Sequence, residues 1–161
     1  PGGQALPAIR AAFGSDVFDE SGALNRRALA ALVFADADKR RALNAIIHPL
    51  ALEQMRVGAA DILETDPRAL IVWDVPLLIE AGWDVFCDEV WLVRAALETR
   101  VARVIARDGC TREEALARVG AQMDDVQKAR RADEVIENDG DKAALFARID
   151  ALYARAAECA L

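Results

Sequence analysis

The sequence predicts an α/β fold with a parallel sheet, and three short apolar runs carry this prediction. The run ALIVWDVPLL from residue 69 is continuously apolar and rich in β-branched residues, which is typical of a strand buried on both faces. A second run, EVWLVRA, begins at Glu89, and a weaker third run covers residues 133–138. Helical patterns fill the intervals, and strands that alternate with helices favour a parallel sheet.

The elements can be placed in order along the chain. Before Pro67 the spacing of apolar residues predicts only helices, at 5–13, 25–34, 37–47 and 50–63. Asp36 is expected to cap the third of these, and Pro49 is expected to break or kink the chain after it. Beyond Pro67 we expect strands at 69–74, 90–94 and 134–137, and helices at 97–107, 111–123 and 141–158.

Composition narrows the classes of partner. The net charge of -7 makes nucleic acid an unfavourable main partner, because an acidic chain repels a phosphate backbone. No apolar run reaches the roughly 20 residues that span a bilayer, so no membrane partner is expected. The three cysteines, Cys87, Cys110 and Cys159, are scattered, which favours reduced thiols in a cytoplasmic protein over zinc or disulfides.

Asp74 is a candidate metal ligand. It follows the apolar residues 71–73, and ligands bind at the carboxyl ends of strands in open α/β sheets. A carboxylate at that place can hold Mg²⁺ through water. The alternative is an aspartate that caps a turn near Pro76.

Three arginines follow the second apolar run at helical spacing. Arg100, Arg103 and Arg107 share one helical face, and their guanidinium groups would offer several donors to phosphates. The alternative is a solvated face that pairs with acids such as Glu98 and Asp108.

Other polar residues are less informative taken singly. His48 is the only histidine, and a lone histidine at a helix end is more often structural than catalytic. Residues 138–140 predict a tight turn after the third strand. The sequence contains no phosphate-binding loop of the form G-x-x-x-x-G-K-S/T.

Several segments, in colinear order over nearly the whole chain, resemble dephospho-coenzyme A kinase. They are LNRRAL from Leu24, LNAIIHPL from Leu43, VPLLIE from Val75, ETRVAR from Glu98, the Arg107-Asp108 pair, TREEA from Thr111, Gln122, and ADEVIENDG from Ala132. Each segment is short, but their joint order and spacing make coincidence improbable.

The resemblance implies a nucleotide-kinase fold of the P-loop type, with three layers (α/β/α) around a parallel sheet. It implies a helical dephospho-CoA-binding part (residues 1–68), a nucleotide-kinase core (69–96 and 131–161) and a lid (97–130). The reaction would transfer the γ-phosphate of ATP, with Mg²⁺, to the 3′-hydroxyl of dephospho-CoA. The implied roles are catalysis by Arg103 and Arg107, substrate binding by His48, Arg26, Pro76 and Leu77, nucleotide binding by Arg103, Asn138 and Gly140, and metal binding by Asp74.

The chain also departs from the family pattern. Arg100 stands where glutamine is usual, and Asp74 where other members can carry an apolar residue. The phosphate-binding loop and the first two strands are expected on a preceding segment, so we expect the 161 residues alone to be inactive and the sheet to be incomplete. The first of those strands would separate residues 69–74 from 90–94.

Two alternatives stay open at this point. One is a different nucleoside or nucleotide kinase with a similar lid. The other, from another class, is a helical small-molecule-binding or regulatory module without kinase activity. The sequence does not indicate an oligomeric state.

Overall fold

The computed structural model describes residues 3–159, which divide into two units on either side of the Pro67–Arg68 peptide bond. The first unit holds helices α1 (Leu6–Phe13), α2 (Arg26–Ala35) and α3 (Ala37–Thr65), with a short 3-10 turn at Ser15–Val17. The second unit holds, in order, a 3-10 turn (Trp83–Phe86), β1 (Trp91–Arg94), α4 (Leu97–Asp108), α5 (Arg112–Gly120), α6 (Asp125–Ala129), β2 (Glu134–Glu137) and α7 (Lys142–Cys159).

Side-chain caps begin two helices of the first unit. The Asn25 side chain accepts a hydrogen bond from the Ala28 N–H at 3.0 Å and begins α2. Asp36 accepts from the N–H groups of Asp38 and Lys39 at 2.8 and 3.1 Å, which confirms its predicted role as the cap of α3. These N–H groups also hold the pKa of Asp36 below its usual value.

The core of the first unit is a cluster of buried apolar side chains from α1, α2 and the 3-10 turn. Its members are Ala5, Ile9, Val17, Leu29 and Val33. Ala5 and Ile9 are four residues apart, as are Leu29 and Val33, so each pair lies on one helical face. The helical spacing in the sequence therefore identifies the buried faces of α1 and α2.

Helix α3 runs without interruption through Pro49, so the predicted break there is wrong. The two helices expected at 37–47 and 50–63 form one helix of 29 residues. Proline removes one backbone hydrogen bond and costs about 3 kcal/mol inside a helix. Apolar side chains on both sides of it, among them Ile47 and Leu50, pack against the core of the first unit and offset that cost.

The second unit contains a parallel pair of strands, as the sequence predicts. Trp91 lies opposite Glu134, and Arg94 opposite Glu137, which fixes the register of β1 and β2. Ile136 is almost completely buried, whereas Val93 is 53% exposed. The predicted strands near 90–94 and 134–137 are thus confirmed.

Aspartates clamp both ends of this pair. The Asp133 carboxylate accepts the Val90 N–H at 2.8 Å, just before β1 begins. The Asp139 carboxylate accepts the Ala96 N–H at 2.9 and 3.0 Å, just after β1 ends. The two aspartates of the ADEVIENDG segment therefore satisfy backbone donors that the ladder itself leaves unpaired.

The strand predicted at 69–74 is absent, and this prediction is wrong. Within residues 3–159 the backbone of this segment joins no ladder, and no ladder connects Val72 with Leu92. A strand exists only where a neighbour accepts and donates its hydrogen bonds, whereas the apolar pattern is a property of the segment alone. Val72 is accordingly 72% exposed.

The helix predicted at 111–123 is shorter than expected. This helix ends at Gly120, and Asp124 then caps the separate short helix α6 by accepting the Val126 N–H at 2.8 Å.

Over the described residues, no helix is both long and apolar enough to cross a membrane.

Candidate functional site

The candidate site lies at the carboxyl edge of the β1–β2 pair. Helix α4 begins directly after β1, and residues 138–140 follow β2 before α7 begins. Ligands of open α/β proteins bind at this edge, because loops after neighbouring strands converge there. Contacts to a ligand are therefore expected at the segment 138–140 and at the start of α4.

Arg103 reaches this edge from α4. Its Nη2 donates a hydrogen bond to the Asn138 carbonyl oxygen at 2.8 Å, and the Arg103 residue is exposed. Two residues that the resemblance assigns to the nucleotide therefore touch each other. Gly140 follows two residues later, and a Cβ added there would meet nothing within 4 Å, so the space beside it is open.

The Asp139 carboxylate places a negative charge next to this contact. A hydrogen bond from the Thr99 side chain, then the Ala96 N–H, then the charges of Arg103 and Arg100 lower the pKa of Asp139. The carboxylate is thus ionised at neutral pH and draws the beginning of α4 toward the end of β2.

Arg107 and Arg100 form ion pairs with other residues. Arg107 is paired with the adjacent Asp108, with Nε–Oδ1 at 2.7 Å and Nη2–Oδ2 at 3.0 Å, and Arg118 contacts the same carboxylate. Hydrogen bonds from Arg107 lower the pKa of Asp108. This is the solvated, acid-paired face that the sequence left open as the alternative, and for Arg107 it holds in this conformation.

Arg100 joins α4 to α6. Its two terminal nitrogens lie 2.9 and 3.3 Å from the Asp125 carboxylate oxygens. Its Nε is buried and has no hydrogen-bond partner among the described residues. Of the three arginines on the α4 face, Arg103 is the one that bonds to the loop after β2, whereas Arg100 and Arg107 pair with Asp125 and Asp108.

The turn that contains Pro76 and Leu77 is anchored to α6. Glu80 lies four residues after Pro76, and its Oε1 is 2.8 Å from the Lys128 Nζ. Sequence reasoning missed Lys128, whose residue is only 7% exposed. The sequence signal for such a partner was Glu80 at the end of VPLLIE, because a half-buried acid needs a cationic or N–H partner.

The remaining predicted site residues are spread over both units. Arg26 is the exposed first residue of α2, and His48 is half-buried within α3. Asp74 is exposed in the loop after the apolar run. Among the described residues, no three His, Cys, Asp or Glu side chains gather into a metal-binding group.

The parallel sheet and the arginine-bearing helix at its carboxyl edge define the chain as an α/β protein suited to phosphate ligands. Comparison with known proteins gives the family. The family model for dephospho-CoA kinase (CoaE) matches residues 1–144. The chain therefore belongs to the dephospho-CoA kinase family, whose members are ATP-dependent kinases of coenzyme A biosynthesis.

Individual relatives agree with this assignment. The chain is 43% identical to a dephospho-CoA kinase of Symbiobacterium thermophilum over 153 residues, which is 95% of this chain and 64% of that protein. It is 39% identical to that of Shouchella clausii, covering 98% of this chain and 80% of the relative. The predicted resemblance is confirmed, and a binding module without kinase activity is not favoured.

Solved structures support the same fold. The crystal structure of TT1252 from Thermus thermophilus is 38% identical and aligns with a TM-score of 0.70 over 94% of this chain and 80% of that one. Dephospho-CoA kinase from Campylobacter jejuni is 22% identical, with a TM-score of 0.62 over 95% and 76%. At that identity the second likeness concerns the fold alone.

Proposed function

We propose that the protein carrying this chain transfers the γ-phosphate of ATP to the 3′-hydroxyl of dephospho-CoA. The observation that carries the proposal is the Arg103 guanidinium, exposed at the carboxyl edge of the β1–β2 pair and bonded to the Asn138 carbonyl. Family membership supplies the reaction and its two substrates.

Arg103 and Arg107 are the proposed catalytic residues. Phosphoryl transfer spreads negative charge over the equatorial oxygens, and proteins accelerate it mainly by positioning and by electrostatic stabilisation. Arg103 now bonds a neutral carbonyl, and a charge-assisted bond to an anionic phosphate is stronger. Nucleotide binding would therefore draw Arg103 from Asn138 to a phosphate oxygen. Arg107 would exchange one anion, the Asp108 carboxylate, for another, and Arg118 would remain as a partner for Asp108.

The substrates would occupy different parts of the chain. Asn138 and Gly140, with Arg103, are proposed to contact the nucleotide, and the bond of Arg103 to the loop after β2 supports this. Residues 97–130 would form a lid that closes on the phosphates and excludes water. For dephospho-CoA we propose the helical part, residues 1–68, and the residues Arg26, His48, Pro76 and Leu77.

Asp74 is the proposed contact for magnesium. Mg²⁺ keeps several waters and is usually held by one or two carboxylates together with substrate phosphates, so a single exposed carboxylate fits this mode. The ion would neutralise charge on the phosphates of ATP. Asp74 itself would accept hydrogen bonds from the waters of the ion.

We infer a three-layer α/β/α core in which a strand from outside these 161 residues lies between 69–74 and β1 and leads to the phosphate-binding loop. The edge of β1 away from β2 supports this, because among the described residues β1 pairs with β2 alone and no ladder uses its other edge. The exposed Val93 side chain supports a further layer over β1, because a parallel sheet is normally covered on both faces. A cytoplasmic location fits the reduced cysteines expected from the sequence.

The test is a coupled assay on the purified full-length protein. With ATP, Mg²⁺ and dephospho-CoA we expect stoichiometric formation of ADP and coenzyme A, the latter identified by mass spectrometry. The matched control is coenzyme A as acceptor, because its 3′-hydroxyl is already phosphorylated. ADP formed at the same rate with that control, or no coenzyme A formed, would refute the proposal.

A further inference from the structure

Lys128 is the only charged residue that is buried in the part of the chain described here. It lies in the five-residue helix α6, and its Nζ is 2.8 Å from Glu80 Oε1. A buried ammonium group is unfavourable unless it is paired and hydrogen-bonded. A buried and paired lysine in so short a helix therefore indicates a role beyond filling space.

Glu80 is bound from two sides. Its Oε1 also accepts the Met123 N–H at 3.2 Å, in the segment that leads into α6. Burial alone would raise the pKa of Glu80, but the Lys128 ammonium and the backbone donors hold it below its usual value. The carboxylate is therefore ionised and fixed in one orientation.

A second contact lies one turn further along the chain. Arg131 donates from Nε to Asp84 at 2.8 Å and from Nη1 to the Ile79 carbonyl at 3.0 Å. Together, Glu80, Lys128, Asp84 and Arg131 form what we term the α6 anchor. The α6 anchor contacts both ends of the segment 79–84, from α6 itself and from Arg131 just after it, and so restrains the turn that precedes this segment.

Helix α6 is connected in turn to α4. Asp125, its first residue, binds Arg100 at 2.9 Å, and Arg100 lies three residues before Arg103 on the same helical face. Two ion pairs thus join α6 to its neighbours: Glu80–Lys128 to the segment after Leu77, and Arg100–Asp125 to the helix that carries Arg103.

The geometry points to Glu80 and Lys128 as positioning residues that fix the Pro76–Leu77 turn relative to the arginines of α4. The inference rests on the proposed function, in which the turn contacts dephospho-CoA and Arg103 contacts the transferred phosphoryl group. Apolar replacements of buried ion pairs are often equally stable, so such a pair contributes defined geometry more than stability. A small error in that geometry is costly to phosphoryl transfer.

Kinetics of the full-length protein separate positioning from stability. Lys128→Met leaves Glu80 without its cation, and we expect the KM for dephospho-CoA to rise about ten-fold while the KM for ATP stays within about two-fold. The double variant Lys128→Met/Glu80→Gln removes both charges and keeps an acceptor for the Met123 N–H. The Tm of the double variant should equal that of the wild type, whereas its KM for dephospho-CoA should still be raised.

Arg148→Met is the matched control, because it removes an ion pair of similar length, 2.7 Å to Glu134, on helix α7. It should leave both Michaelis constants unchanged. If the double variant regains wild-type kinetics together with its Tm, the pair is merely structural and the inference is wrong.

Amide hydrogen exchange tests the anchor without any activity. The Gly82 and Trp83 N–H groups bond within the turn, to Ile79 and Leu78 carbonyls at 3.0 and 2.9 Å. We expect both amides to exchange faster in the single and the double variant, and not in Arg148→Met. Unchanged exchange would overturn the inference even if the enzyme is active, whereas a wild type inactive on dephospho-CoA would refute only the proposed function.

Discussion

Arg103 on α4 and Asn138 after β2 are joined by a 2.8 Å hydrogen bond from the guanidinium to the backbone carbonyl. The bond links the helix proposed as part of the lid with the loop proposed to hold the nucleotide. Because the acceptor is a backbone atom, no substitution of the Asn138 side chain removes it. The arginine is the half of this contact that mutagenesis can test.

Arg103→Ala should lower the turnover number of the full-length enzyme by about 10³- to 10⁵-fold, the range for an arginine that stabilises phosphoryl transfer. Arg103→Lys should recover only part of this, since lysine cannot offer two parallel donors. Steady-state kinetics with ATP and dephospho-CoA measure both. Arg100→Ala should be milder, because Arg100 is committed to Asp125. Near-normal turnover for Arg103→Ala would remove Arg103 from catalysis.

His48→Ala should raise the KM for dephospho-CoA more than the KM for ATP. The motivation is the place of His48 in the helical part proposed to bind dephospho-CoA. Initial rates with each substrate varied in turn give the comparison. Equal effects on both constants, or none, would exclude His48 from that site.

Asp139→Asn should destabilise the protein at neutral pH and lose this effect in acid. The pKa of Asp139 is lowered by folding, so its stabilisation is present above its ordinary value of 3.8 and disappears as the pH falls through the lower folded value. Denaturant midpoints of wild type and variant from pH 7 to pH 3 should converge below about pH 4. A gap that stays constant over this range would contradict the assignment.

Thr111→Ala should cost about 1 kcal/mol of unfolding free energy, the usual effect of losing an N-cap. Thr111 and Glu114 form a reciprocal capping box at the start of α5, with bonds of 3.2 and 2.9 Å. Thr111→Ser keeps the hydroxyl and should remain within a few tenths of a kcal/mol of wild type. Urea titration of the full-length protein measures both, and equal losses would argue against the cap.

The 161-residue chain expressed as written should not phosphorylate dephospho-CoA. Its sequence contains no Gly-rich loop with the lysine and hydroxyl that phosphoryl transfer by P-loop kinases uses. We also expect poor solubility, since Val72 and Val93 are more than half exposed. The same assay and light scattering, run beside the full-length protein, check both. Activity from the purified short chain would contradict the proposal that the loop lies outside it.

The parts of the fold that depend on local pattern could be predicted from the sequence. The cap at Asp36 and the strands β1 and β2 followed from residue types within a few positions. The segment 69–74 has the same kind of pattern, but a strand also needs a neighbour, which no local pattern supplies. At Pro49, packing on both sides outweighed a backbone preference.

The candidate site could likewise be predicted only in part from the sequence. Spacing placed the α4 arginines on one face, but their partners lie far away in sequence, 25 residues for Arg100 and 35 for Arg103. Lys128 was not foreseen for this reason, since its partner Glu80 belongs to a different segment. The family was identified from the order of short motifs along the sequence. The contacts between pairs of residues give physical reasons for the residue types in those motifs.

The clamps at Asp133 and Asp139 limit how the chain length can change in evolution. The same number of residues separates Val90 from Ala96 and Asp133 from Asp139. A single deletion inside either segment would leave one carboxylate without its backbone donor and turn the side chains on one side of the deletion to the opposite face. Both strand segments should therefore keep matching lengths, and changes in chain length between them should fall in the loop at 109–111 rather than in α4 or α6.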